Sequence, residues 1–185
     1  MRVIAGALKG RRMVVPRGHV TRPTADQVRI ALMDTLAPHL PGSDILDLFA
    51  GVGAVGIEAL SRGAARATFV ERDRRALDAL RQNLDALGLR AVARVLPMDV
   101  ERALPRLAAA GETFDIIFLD PPYDTDLTPA TLAWLGAGRL TRPGSFVIAQ
   151  HFTKRAAALA PLPALARARA RRFGETTLTF FRAGG

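Results

Sequence analysis

The sequence of 185 residues contains no cysteine. This absence excludes disulfide bonds, thiolate metal sites and any reaction that requires a cysteine nucleophile. Its three histidines, His19, His39 and His151, lie far apart without the spacing of metal ligands, so we expect no metal site. No apolar run approaches the length of a membrane span, and the first residues lack the apolar core of a secretory signal. These absences predict a cytoplasmic protein.

Lysine is scarce as well, because 24 of the 26 basic residues are arginine, and the formal net charge is +9. Residues 1–30 and residues 151–185 each carry a formal charge of +6, which leaves −3 for the middle of the chain. A soluble arginine-rich surface, reflecting a genome of biased composition, would account for the total charge. Segregation of the charge to the two ends favours a polyanionic partner instead.

The N-terminal part of the chain predicts a small extension to a single domain. Two short apolar runs, residues 2–5 and 12–15, predict a β-hairpin with basic residues at its turn. Thr24 stands where the N-cap of a helix running to Leu36 is expected. The predicted division of the chain is therefore a basic hairpin and helix over residues 1–40, followed by a main domain over residues 41–185.

From residue 44 onward, strand-like apolar runs alternate with helical patterns, which is typical of a parallel sheet covered on both faces. Two further strand candidates near the C-terminus, joined by Gly174, predict an antiparallel hairpin at the sheet edge. The fold class is therefore α/β with a mostly parallel sheet. The predicted strands are 44–49, 67–71, 91–96, 115–120, 145–150, 167–173 and 176–182, and the predicted helices lie near 54–62, 73–87, 101–110 and 128–137.

A glycine-rich segment, Gly51-Val52-Gly53-Ala54-Val55-Gly56, follows the first predicted strand and precedes a helix. Glycines at this place allow a tight turn and let a nucleotide-like ligand approach the backbone and the helix N-terminus. Glu71 ends the second strand twenty residues after Gly51, where a carboxylate can bind a ribose diol. These two features predict a nucleoside cofactor, and they do not separate a nicotinamide enzyme from an S-adenosylmethionine enzyme.

Two aspartates at predicted strand ends add polar groups to this pattern. Asp47 lies four residues before Gly51, where a carboxylate suits a cationic ligand such as the methionyl amine of S-adenosylmethionine, or else orders the loop or caps the helix. Asp99 ends the third strand and could accept a hydrogen bond from an adenine amine, with Val100 beside it, or could cap the helix predicted from Glu101. Both alternatives remain open for each aspartate.

The fourth strand ends in Asp120-Pro121-Pro122-Tyr123, which contains the only tyrosine of the chain. The prolines could simply terminate the strand. Alternatively, the Asp120 carboxylate and the Pro121 carbonyl can accept both protons of an exocyclic amine, while Tyr123 stacks on a flipped base. We expect Gly51, Glu71, Asp99 and Asp120 to share one rim of the sheet, because all of them follow the carboxyl ends of parallel strands.

Taken together, these segments resemble the RsmD-type methyltransferases, which modify guanine 966 of 16S ribosomal RNA. The segments that carry the resemblance are RVIAGALKGRRM, TRPTADQVRIAL, DLFAGVGAVGIEALSRGA, FVERD, NLDALGL and FLDPPY. The resemblance implies a Rossmann-like class I S-adenosylmethionine-dependent fold with a seven-stranded sheet. It also implies a substrate within a 30S subunit or an assembly intermediate, and we expect a monomer.

The resemblance assigns residues to three roles. The cofactor set is Thr24, Asp47, Phe49, Ala50, Gly51, Gly53, Glu71, Arg72, Asp99, Val100 and Asp120. The catalytic set is Asp120, Pro121, Pro122 and Tyr123, and the RNA-binding set is Lys9, Arg11, Arg12 and Arg22.

Three positions depart from the family pattern, namely Val52 in place of serine, Gln150 in place of an acidic residue and Phe173 in place of tyrosine. These departures concern peripheral contacts rather than the reaction. The sequence predicts no role for Asp124, Asp126 or the C-terminal arginines.

Other functions fit the sequence less well than an RNA methyltransferase. The same chemistry could act on another RNA, on DNA adenine or on a protein glutamine, but an extension of about 40 residues is small for an independent sequence-reading module. Asp47 and the turn at Asp120 disfavour a nicotinamide oxidoreductase. An inert RNA-binding module would not need the carboxylates of the cofactor rim together with Tyr123.

Overall fold

The computed structural model describes residues 1–16, 23–122, 126–158 and 162–184. The helices are α1 (Pro23–Leu36), α2 (Ala54–Ser61), α3 (Arg74–Ala86), α4 (Val100–Ala109) and α5 (Leu127–Leu135), and the strands are β1 (Asp44–Leu48), β2 (Arg66–Glu71), β3 (Ala93–Pro97), β4 (Phe114–Leu119), β5 (Thr141–Phe152), β6 (Leu165–Phe173) and β7 (Thr176–Ala183). The strands form one seven-stranded sheet in the order β3-β2-β1-β4-β5-β7-β6. The chain divides into two compact units, Met1–Asp99 and Val100–Gly185. The predicted alternation of strands and helices is confirmed.

The first unit is built on the parallel strands β1, β2 and β3. Leu46 and Leu48 of β1 and Phe69 and Val70 of β2 are fully buried, as expected for strands that are covered on both faces. Helix α3 buries Leu80 and its neighbours along one stripe, and Asp73 accepts a hydrogen bond from the amide of Ala76 to cap its N-terminus. This packing fixes the strand ends that carry the predicted cofactor residues.

The N-terminal segment is anchored to α2 rather than folded into two strands. Residues 1–16 contain one antiparallel bridge, Arg2 to Arg12, and no regular strand. The predicted hairpin is present in short form, because the amides of Val3, Gly10 and Met13 donate to the carbonyls of Arg11, Val3 and Met1 across it, at 3.0, 2.9 and 3.0 Å. The amides of Ile4 and Ala5 donate to the carboxylate of Glu58, at 2.8 and 2.9 Å, which anchors the hairpin on α2.

Helix α1 begins at Pro23, so Thr24 lies inside its first turn and the predicted N-cap at Thr24 is wrong. Proline suits the first helical position because its missing amide hydrogen needs no partner there. The helix ends at Leu36 as predicted. Arg29, almost completely buried, donates to the carbonyl of Arg2 at 3.1 Å and to Asp26 at 3.0 Å, which attaches the helix to the N-terminal segment.

The second unit combines parallel and antiparallel pairing. Strands β4 and β5 are parallel, whereas β5–β7 and β7–β6 are antiparallel. The predicted C-terminal hairpin at the sheet edge is confirmed. Strand β5 begins at Thr141, four residues earlier than expected, and Pro143 and Gly144 lie within it. Among the described helices, none has the length and apolar character that a membrane crossing requires.

Candidate active site

The loop between β1 and α2 turns through three residues with positive φ. Phe49 has a φ of 63°, Gly51 of 56° and Gly53 of 83°. A side chain in this left-handed region costs about 1–3 kcal/mol, so Phe49 is held there by its surroundings. The amide of Ala50 next to it donates to the carbonyl of Val70 at 3.0 Å, which ties the loop to β2. The strain lies within the predicted cofactor loop.

The three glycines of this loop have different surroundings. A Cβ at Gly53 would overlap Leu80 of α3, and a Cβ at Gly56 would overlap Phe69 of β2. These two glycines therefore permit close packing of α2 on its neighbours. At Gly51, no atom of the described residues lies within 4 Å of the Cβ position. Of the three, Gly51 is the one whose α-carbon faces open space.

Asp47 caps α2 from the preceding strand. The N-cap of α2 is Gly53, which has no side chain, and Oδ2 of Asp47 accepts a hydrogen bond from the amide of Gly56 at 2.9 Å. The side chain is 2% exposed. The pKa of Asp47 is raised to about 7, mainly by burial, with the Gly56 hydrogen bond opposing the rise and the negative charge of Glu71 adding to it. The structure thus shows the capping contact, and contact with a cofactor amine stays a prediction.

Glu71 holds the glycine loop against the end of β2. Its Oε2 accepts from the amide of Gly51 at 2.7 Å, and its Oε1 accepts from the amides of Arg72 and Asp73 at 2.7 and 2.8 Å. Three amide donors orient this carboxylate before any ligand arrives. Its predicted contact with a ribose diol is untested, but the carboxylate is fixed beside the loop where that contact requires it.

An ion pair joins the ends of β2 and β3. Arg72 donates to Oδ1 of Asp99 at 3.0 Å, and the two side chains are 69% and 44% exposed. An exposed pair of this kind contributes less than about 1 kcal/mol to stability. The ion pair matters for position, because it brings together Arg72 and Asp99, which were predicted separately to contact the cofactor. Asp99 also immediately precedes α4, which begins at Val100 and not at Glu101.

In the second unit, the carboxylate of Asp120 follows β4 directly. The amide nitrogen Nε2 of Gln150 donates to Oδ2 of Asp120 at 3.0 Å. The parallel register pairs Leu119 with Ala149, so residues 120 and 150 lie level at the strand ends. Pro121 is buried and Pro122 is exposed. From the sequence, Gln150 was identified only as a departure from the family pattern. Its position at the end of the adjacent strand was the signal that could have predicted its contact with Asp120.

Of the remaining predicted site residues, three lie in the N-terminal segment and three lie wholly or partly outside the described residues. Lys9 and Arg12 are exposed in the N-terminal segment, whereas Arg11 donates to the carbonyl of Ala86 at 2.7 Å, at the C-terminus of α3. Arg11 thus has a structural contact beside its predicted RNA role. The predictions for Arg22 and Tyr123 and for the side chain of Thr24 lie outside the described residues. In the described ranges, no group of three or more metal-ligating side chains could hold an ion.

Comparison with known proteins places these features in a family. The family model "Conserved hypothetical protein 95" matches residues 1–182. Ribosomal RNA small subunit methyltransferase D of Escherichia coli (strain K12) is 42% identical over 132 residues, which are 71% of this chain and 65% of that protein. The match therefore spans just under two thirds of that relative's length.

Solved structures confirm the predicted Rossmann-like methyltransferase fold. YhhF from Escherichia coli is 33% identical with a TM-score of 0.86, over 100% of this chain and 98% of YhhF. The T. thermophilus 16S rRNA N2 G1207 methyltransferase (RsmC), in complex with AdoMet and guanosine, is 25% identical with a TM-score of 0.75, over 99% of this chain and 49% of RsmC. Because the family model covers nearly every residue and the E. coli relative is 42% identical, the chain belongs to the Conserved hypothetical protein 95 family, the RsmD family of ribosomal RNA methyltransferases.

Proposed function

We propose that the protein transfers a methyl group from S-adenosylmethionine to the exocyclic N2 amine of a guanine in 16S ribosomal RNA. The observation that carries the proposal is the Asp120 carboxylate, held by Gln150 at the end of β4 and followed by two prolines. In a member of the RsmD family, this arrangement supplies acceptors suited to an amine and no strong nucleophile of its own. Support for guanine comes from RsmC, which was solved with guanosine bound.

The first unit offers groups that fit the cofactor. The carboxylate of Asp47 suits the methionyl amine, that of Glu71 suits the ribose diol, and that of Asp99 suits the adenine amine. The open Gly51 lets a ligand approach the loop backbone closely. The remaining assignments from the sequence, Thr24, Phe49, Ala50, Gly53, Arg72, Val100 and Asp120, complete the proposed cofactor set. S-adenosylmethionine supplies an electrophilic methyl group on a sulfonium.

The amine is bound by the turn after β4. Asp120 and the carbonyl of Pro121 accept its two protons, which orients the nitrogen lone pair away from those acceptors. Tyr123, assigned from the sequence alone, stacks on the flipped base, with Pro122 fixing the turn between them. Bound S-adenosylmethionine would supply the methyl group and leave as S-adenosylhomocysteine, and the amine held by Asp120 and Pro121 would give up one proton. Direct displacement of this kind requires orientation rather than a potent general base.

The test is transfer of tritiated methyl groups to 16S ribosomal RNA, and to small-subunit particles from cells that lack the enzyme, followed by mapping of the modified base. We expect label on N2 of one guanine, and the comparison of naked RNA with particles identifies the form of the substrate. DNA and total protein serve as competing acceptors in the same assay. Label on DNA adenine or a protein glutamine, or no label on RNA, would contradict the proposal.

A further inference from the structure

Strand β6 carries four arginines among its nine residues, Arg167, Arg169, Arg171 and Arg172, which we call the β6 arginine row. The strand is last in the sheet order, so its outer edge has no neighbouring strand in that sheet. Over residues 162–184 the only acidic residue is Glu175, against five arginines. In the described part of the chain, no salt bridge joins Arg167, Arg169 or Arg172 to a carboxylate. The row is therefore a concentrated positive charge.

The row presents cations on both faces of the strand. The register pairs Arg169 with Phe180 and Arg171 with Leu178, whereas it pairs Arg167 with Phe181 and Arg172 with Thr177. Residues directly opposite each other in an antiparallel ladder project to the same face. Successive residues of β7 point to opposite faces, so each face of β6 receives two arginines. The register shift between Arg167 and Arg169 produces this distribution.

Local contacts hold two of these side chains in place. The guanidinium of Arg171 lies 5.6 Å from the ring centroid of Phe173, and Nε of Arg172 donates to the carbonyl of Gly174 at 2.9 Å. The Arg172 contact leaves guanidinium N–H groups that can bind an anion, because arginine carries five donors. A guanidinium fork binds phosphate in a bidentate manner, which lysine cannot do.

We propose that the β6 arginine row binds the phosphate backbone of the RNA substrate, as a second contact surface in addition to the basic N-terminal segment. Arginines two residues apart on a strand are separated by about 6–7 Å, comparable to the distance between successive phosphates along one RNA strand. Charged side chains also protect a sheet edge from aggregation. That role does not require arginine, yet all four charged residues of β6 are arginines. The inference rests on the proposed function for the identity of the polyanion.

The test compares two variants with the same loss of charge. In the row variant, Arg167, Arg169, Arg171 and Arg172 are replaced by glutamine; in the control, the exposed residues Arg81, Arg94, Arg102 and Arg106 are replaced by glutamine. The dissociation constant for a 16S ribosomal RNA transcript is measured by filter binding over about 50–200 mM salt. We expect the row variant to bind at least about tenfold more weakly, with a salt slope lower by about two to three, since each single-strand phosphate contact contributes about 0.7.

Equal binding by the wild type, the row variant and the control would overturn the inference, and so would equal weakening of the two variants. A change in oligomeric state of the row variant on analytical ultracentrifugation, with unchanged RNA affinity, would overturn it in favour of a contact between two copies. Two paired variants, Arg167→Gln with Arg172→Gln and Arg169→Gln with Arg171→Gln, test each face separately if the fourfold variant does not fold. Binding is measured without turnover, so failure of wild-type methyl transfer would refute the proposed reaction alone.

Discussion

Asp47 and Glu71 of the first unit and Asp120 of the second unit are held in different ways. In the first unit, Asp47 and Glu71 accept hydrogen bonds from backbone amides of the loop and helix beside them. In the second unit, Asp120 accepts from a side-chain amide, that of Gln150. A carboxylate bonded to backbone amides shapes the loop that donates them, whereas one held by a side chain is oriented without fixing the backbone around it. The first arrangement suits a preformed cofactor loop, and the second suits a group that contacts the reacting amine.

The largest expected effect is at Asp120. Replacement by alanine removes both acceptor oxygens, so we expect kcat for methyl transfer to fall by about 100- to 1,000-fold, a loss typical for removal of one preorganised polar group. Asp120→Asn retains one carbonyl acceptor and should give an intermediate loss. The measurement is single-turnover transfer to the RNA substrate. Calorimetric titration with S-adenosylmethionine is the control, because both variants must still bind the cofactor detectably; unchanged transfer by Asp120→Ala would refute the proposed mechanism.

The positions of these carboxylates could be predicted from the sequence because they depend on local patterns. Apolar runs separated by helical periods define a parallel sheet, and residues that follow such runs fall at its carboxyl ends. Strand β5 shows the limit of this reasoning, since Pro143 and Gly144 have the local character of a turn and yet lie inside the strand. The start of α1 shows it as well, because Pro23 and not Thr24 sets where the helix begins.

The hydrogen-bond partners could not be predicted, because they depend on which atoms the packed chain brings together. Asp47 reaches Gly56 across the loop, and the side chain of Glu71 reaches the amide of Gly51 from another strand. No local propensity encodes either contact. The amides of Ile4 and Ala5 likewise bind Glu58, fifty residues or more away, and this contact anchors the N-terminal segment on α2. That the carboxylates of the two units share one rim stays a prediction.

A smaller effect, the pH dependence of folding stability, tests the protonation of Asp47 in the first unit. The pKa of Asp47 is raised to about 7 by burial, so the folded protein keeps a proton there that the unfolded chain loses. Stability therefore falls as pH rises from about 4 to 7, by up to about 1.4 kcal/mol per pH unit, and Asp47→Asn should abolish this dependence. Denaturant unfolding between pH 4 and 8 measures it. The same slope in both proteins would show that Asp47 is ionised when folded.

The affinity for S-adenosylmethionine should also depend on whether the Asp47 carboxyl is protonated. If the methionyl amine pairs with ionised Asp47, binding below pH 7 must release that proton, and the dissociation constant should fall about tenfold from pH 5 to 6, about fivefold from pH 6 to 7, and level off above. Calorimetry in buffers of different ionisation enthalpy counts the protons. Asp47→Asn should bind more weakly and without this dependence, whereas Asp99→Asn should retain it. A wild-type affinity that does not change over this range would leave Asp47 as a helix cap only.

The smallest expected effect is at Gln150, and it tests whether a side chain positions the carboxylate of the second unit. Gln150→Leu keeps the approximate volume but removes the donor to Asp120, so we expect kcat to fall about five- to tenfold, equivalent to about 1.0–1.4 kcal/mol, the net contribution of a typical hydrogen bond. Cofactor affinity should be unchanged. Gln82→Leu, on the exposed face of α3, is the matched control and should have full activity.

A double variant distinguishes positioning of Asp120 from a general packing role. If Gln150 acts through Asp120, then Gln150→Leu should have no further effect in the Asp120→Ala background, because the group that it orients is gone. A loss in the double variant equal to the sum of the two single losses would show that Gln150 supports the strand end rather than the carboxylate. A smaller loss would show instead that the Asp120 carboxylate depends on its neighbour in β5, in contrast to Asp47 and Glu71, which are bonded to backbone amides.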